Sequence, residues 1–94
     1  MTPAEIIEYL QTIDGVYDTY QIISKFQFHR RAKNGESQIV TVEILDAGPN
    51  SNKHYRYHCF ARANDGRIAA GNPDSSVQNA LSCMHWEYLD RDAV

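Results

Sequence analysis

Asn34-Gly35 sits between two runs in which apolar and polar side chains alternate, and this constrains the fold more than any other feature of the chain. An Asn-Gly pair supplies the left-handed backbone of a tight hairpin, so the second run must come back antiparallel to the first. Over residues 20–31, Ile22, Phe26 and Phe28 fall on one side and Lys25, Gln27, His29 and Arg31 on the other. Over residues 38–45, Val40, Val42 and Ile44 face inward while Thr41 and Glu43 face outward.

A loop of turn-forming residues, 46–52, leads to a third alternating run, His54-Tyr-Arg-Tyr-His-Cys-Phe-Ala-Arg62. His54, Arg56, His58, Phe60 and Arg62 form one row of it; Tyr55, Tyr57, Cys59 and Ala61 form the other. Asn64-Asp65-Gly66 then turns the chain into a short fourth strand, residues 67–70. Helices close both ends. Thr2 caps the first, Pro3 suits its first position, and Glu5 completes a capping box; Ile6, Leu10 and Ile13 share a face, with Tyr9 beside them. Asn72 and Pro73 start a second helix that runs to about Leu89, with Val77, Ala80, Leu81, Met84 and Tyr88 as its apolar stripe. Trp86 projects away from that stripe, near Asn79 and Cys83.

The order of elements gives an α+β fold: helix, three- to four-stranded antiparallel meander, helix, as one domain over residues 1–94. Two amphipathic helices pack most economically on one sheet face and leave the other open. Phe26, Phe28, Val40, Val42, Ile44, Tyr55, Tyr57 and Cys59 are then inward. The open face collects Lys25, Gln27, His29, Arg31, Thr41, Glu43, His54, Arg56, His58, Phe60 and Arg62.

Net charge is −3, but it is unevenly spread. Residues 1–24 hold four carboxylates and no Lys or Arg; residues 25–67 hold eight Lys and Arg against four carboxylates; residues 68–94 are acidic again. Such asymmetry concerns partners rather than fold. With 43% hydrophobic and 22% charged residues, the composition is that of a globular chain. No run approaches the roughly 20 apolar residues that span a bilayer. The first residues lack the basic-then-apolar pattern of a secretory signal. Two cysteines, Cys59 and Cys83, are too few for a disulfide framework and fit a soluble, cytoplasmic protein with free thiols.

Chemistry-bearing constellations do not stand out. His54 and His58 lie about 13 Å apart along one strand face, too far for one ion; Cys59 points the other way, and Cys83 and His85 do not share a helix face. The spacing implies no metal, no cofactor and no enzyme. Two binding functions remain. One is a protein-interaction or self-associating module, a regulator or subunit, that uses the helix surface around Trp86, Asn79 and Cys83. The alternative is single-stranded nucleic-acid binding by the open face, through Lys25, His29, Arg31, His54, Arg56, His58, Phe60 and Arg62.

Residues 43–89 carry a Gly48-Pro49 loop between strands, an Asp65-Gly66 turn, Gly71 before the second helix and an Ala80-Leu81 pair inside it. In this pattern the chain resembles a double-stranded-RNA-binding domain. The resemblance implies a helix-sheet-helix fold and RNA contacts from the first helix, the Gly-Pro loop with its histidine, and a lysine cluster opening the second helix. Here those places hold Glu5 and Glu8, then Asn50 and Ser51 with His54 already beyond the loop, and Asp74, Ser75 and Ser76. Without the lysines most of the phosphate attraction is missing, so the resemblance implies the fold rather than duplex binding.

Overall fold

The structure, a computed structural model, describes residues 1–91. Along the chain come α1 (Pro3–Gln11), β1 (Gln21–Arg31), β2 (Ser37–Asp46), β3 (Tyr57–Ala63), β4 (Ile68–Ala70) and α2 (Val77–Ser82), with 3-10 helices at Lys53–Tyr55 and Trp86–Asp90. The four strands form one antiparallel sheet in sequence order, so the fold is α+β. Both tight turns of the meander share one geometry. Ala32 donates to the Glu36 carbonyl and Gly35 to that of Ala32; Ala63 and Gly66 repeat this with Arg67 and Ala63. Each loop has three residues ending on a glycine, at φ +88° for Gly35 and +93° for Gly66. At Asn34-Gly35 this replaces the expected two-residue turn.

Alternation sorts β2, β3 and the Lys25–Arg31 part of β1 as the pattern predicts, while the bulge at Ile22–Ser24 moves Ile22, expected beside Phe26, into register with Leu45. Val40, Val42 and Ile44 of β2, Cys59, Ala61 and Ala63 of β3 and Ala69 of β4 are buried together with Ala80, Met84 and Leu89. Phe28, Tyr57, Val77, Leu81, Trp86 and Tyr88 pack around them. A buried polar hub closes one end of this core. Gln38, with no solvent exposure, donates to Asp65 Oδ2 and to the Leu89 carbonyl, and accepts from Arg30 Nη1. Arg30 in turn makes a bidentate pair with Asp90 at 2.9 and 2.8 Å.

The second helix departs most from expectation. It begins after Ser76, whose side chain accepts from Asn79 N–H, rather than at Asn72-Pro73. Asp74 exchanges two backbone hydrogen bonds with Tyr57, which holds the chain just before the helix in an extended bridge. Past Ser82 the His85 N–H bonds the Ala70 carbonyl, and the helix stops. A Cβ on Gly71 would lie 2.3 Å from the Cys83 carbonyl oxygen, so strand and helix end meet where only glycine fits. The chain then re-forms as the Trp86–Asp90 3-10 helix with a new phase. This turns Trp86 toward Phe28, ring centroids 6.0 Å apart in an edge contact. The outward Trp86 of the uninterrupted helical projection is thereby corrected.

α1 carries the expected capping box: Thr2 Oγ1 accepts from Glu5 N–H, and Thr2 N–H donates back to Glu5 Oε1. Its position differs from the expected layer. Ile7 is its one buried residue, set against Gly48, and Asn50 Nδ2 donates to Glu8 Oε1 at 2.6 Å. α1 thus rests on the 47–51 loop at the end of the sheet. Ile6, Leu10 and Ile13, the stripe expected to turn inward, are exposed.

Candidate interaction surface

The open face is assembled by register. Lys25 stands opposite Glu43, Glu43 opposite Phe60, and Phe60 opposite Ala70; in the next row come Gln27, Thr41, Arg62 and Ile68. His29 pairs with Ile39, and Leu45 with His58. Lys25, His29, Arg31, His58, Phe60 and Arg62 therefore do share one face. Phe60 is half-buried, with the Arg62 guanidinium 5.3 Å from its ring centroid. His58 lies against the Tyr20 ring at 4.7 Å.

His54 and Arg56 leave that row. The chain from Lys53 to Tyr55 is a 3-10 helix capped by the Asn52 side chain, so strand alternation begins only at Tyr57. Tyr55, expected inward, is 57% exposed for the same reason. Arg56 grips Asp46 on the other side of the sheet, with Nε–Oδ1 at 2.7 Å and Nη2–Oδ2 at 3.0 Å. That pairing, joined by the Gly48 N–H, holds the Asp46 carboxyl below its usual range despite partial burial.

The ion pairs also sort the cations. Arg30, Arg56 and Arg67 are each held by a carboxylate: Asp90, Asp46 and Asp65. The open face keeps Lys25, Arg31 and Arg62, with Glu43 among them. Arg31 also donates to the Gly35 carbonyl at 2.9 Å. Among the described residues no group of three or more His, Cys, Asp or Glu is placed to hold a metal ion. Both cysteines are free thiols; burial pushes the Cys59 thiol above its usual pKa, and Cys83 is exposed on the helix end beside exposed Asn79.

An apolar surface that the sequence pattern hides lies elsewhere. Of thirteen exposed large apolar residues among those described, nine fall between residues 6 and 26: Ile6, Tyr9, Leu10, Ile13, Val16, Tyr17, Ile22, Ile23 and Phe26. Phe26 is the most informative. Its register opposite Val42 puts it on the covered side of the sheet, yet it is 60% exposed. Among the described residues, the short α2 and the Trp86–Asp90 3-10 helix cover β2 to β4 and the Phe28–Arg30 end of β1, and leave the Phe26 ring uncovered.

Among the described residues β1 is also an outer strand, paired with β2 alone. The Ala32–Glu36 hydrogen bond sets the ladder, so the even residues Phe26, Phe28 and Arg30 bond to β2. The N–H and C=O groups of Lys25, Gln27, His29 and Arg31 then point away from the sheet. A bulge at Ile22–Ser24 bounds this open stretch on one side.

In comparisons with known proteins, no protein family, no curated protein and no solved structure matches this chain. The fold defines its class as an α+β domain built on a four-stranded antiparallel meander. Among the described residues no helix is long and apolar enough to cross a membrane.

Proposed function

We propose that the chain is a small non-enzymatic protein-interaction module, a regulator or subunit in a reducing, cytoplasmic setting. Its contact surface is the exposed apolar side of α1 and the start of β1. One observation carries this reading: nine large apolar side chains stay exposed within residues 6–26, against two, Tyr55 and Ile68, among described residues 48–91. Large apolar side chains left to water at this density within one segment point to a partner for it. The helix surface around Asn79, Cys83 and Trp86 is a weaker anchor, because Trp86 already packs against Phe28. Likeness to double-stranded-RNA-binding domains goes no further here than the helix-sheet-helix order.

Single-stranded nucleic-acid binding by the open face is the second reading, favoured by Lys25, His29, Arg31, His58, Phe60 and Arg62 lying on one side. It is the weaker of the two. Glu43 sits within that face, Arg56 is tied to Asp46, and the Phe60 ring already has an Arg62 guanidinium beside it.

Photo-crosslinking separates them. A photoreactive side chain at Ile6, Leu10 or Phe26 is expected to form discrete adducts with protein in cells, and the same group at exposed Ile68 to form none. Absence of protein adducts at all three positions, or adducts removed by nuclease, would overturn the interaction reading.

A further inference from the structure

We propose that the open edge of β1 takes an extended, acidic segment of a partner protein as a fifth strand, a proposal that rests on the interaction-module reading and specifies its partner. The backbone supplies the first argument. Lys25, Gln27, His29 and Arg31 turn their N–H and C=O groups outward along a stretch of seven residues. An added strand satisfies such groups by ladder hydrogen bonds. At about 3.3 Å per residue the stretch spans roughly 20 Å, enough for a segment of about seven residues. On the other side of the sheet the outer strand is only three residues long, so the two edges are not equivalent.

Charge selects the occupant. Residues 24–33 contain Lys25, Arg30, Arg31 and Lys33 and no carboxylate. Arg30 is neutralised by Asp90 on the covered side. Lys25, His29 and Arg31 line the open side of the edge, and the carboxylate nearest them in register, Glu43, lies one strand further in, opposite Lys25. A second copy of β1 laid antiparallel would bring the same cations onto the same face, where like charges in adjoining strands repel. A strand carrying carboxylates at alternate positions meets them instead. Its intervening side chains would fall on the covered side, next to Phe26 with its 60% exposed ring and beyond it Phe28. The segment is therefore acidic on one side and apolar on the other, with a period of two residues.

The test uses the full chain and a capped seven-residue peptide alternating glutamate and valine, followed by amide exchange and titration. Binding should slow exchange of the Lys25, Gln27, His29 and Arg31 amides at least tenfold. Lys25→Ala with Arg31→Ala should weaken it about tenfold, as should raising NaCl to about 0.5 M. A peptide alternating lysine and valine should not bind. Gln27→Pro should abolish capture while the protein stays folded, since the lost N–H lies outside the β1–β2 ladder. The double alanine variant decides if the proline variant does not fold. Binding that leaves those four amides unchanged, equal binding of the lysine peptide, slowing of the same amides by a single-stranded oligonucleotide alone, or dimerisation through this edge would each overturn the proposal. Failure of the peptide with crosslinks at Ile6 and Leu10 intact removes the edge proposal alone; loss of those crosslinks as well removes the interaction reading.

Discussion

Gln38 uses both ends of its amide to join three distant pieces of chain: Arg30 on β1, Asp65 in the β3–β4 turn and the Leu89 carbonyl. A leucine there keeps the volume but strands the buried Leu89 carbonyl. Gln38→Leu should therefore lower stability by about 1–3 kcal/mol in urea denaturation. Asp90 serves the same end of the core. Hydrogen bonds from Arg30 and the Lys33 N–H hold its carboxyl down to about 2, well below the usual carboxylate value. A carboxyl depressed on folding contributes stability above its unfolded pKa, near 4, and loses it as pH falls toward 2. Asp90→Asn should accordingly be less stable at neutral pH and lose less stability than wild type between about pH 4 and 2. Trp86→Ala becomes a test of packing: removing a half-buried indole from Phe28 should cost about 2 kcal/mol in the same denaturation experiment. Trp86 was misplaced from sequence because a helical projection is only as good as the helix's continuity.

At the scale of elements, the strands were the legible part. Alternation is written locally, and the faces of Lys25, His29, His58, Phe60 and Arg62 follow from it once register is set. It fails at His54 and Arg56, where the Asn52 cap winds the chain into a 3-10 turn and shifts the start of β3 to Tyr57. Helix bounds were less legible because distant backbone decides them. Tyr57 holds Asp74 out of α2, and Ala70 draws His85 away from its other end. The capping box announced α1 correctly, yet no local signal says that it rests on the 47–51 loop. Ile7 is its hydrophobic anchor there. Ile7→Ala should speed exchange of the α1 amides markedly and leave those of β2 and β3 protected, because the sheet core does not depend on that contact.

The whole molecule is long for its size, 46 × 27 × 21 Å, with a radius of gyration of 14.9 Å against about 12 Å for a compact chain of this length. That extension is the global consequence of a short α2 and an end-docked α1. Among the described residues they leave Phe26 and the β1 edge without cover, and the acidic first quarter of the chain adjoins a basic sheet. The charge asymmetry was legible from the sequence; the uncovered surface was not, since it arises where predicted packing fails to occur. Amide exchange of the unliganded protein, resolved by residue, tests that openness most directly. Phe26, Phe28 and Arg30 should be protected by the β1–β2 ladder while Gln27, His29 and Arg31 between them exchange rapidly. Uniform protection along residues 26–31 would mean that another part of the chain, or a second copy, already covers the edge, and would contradict the account.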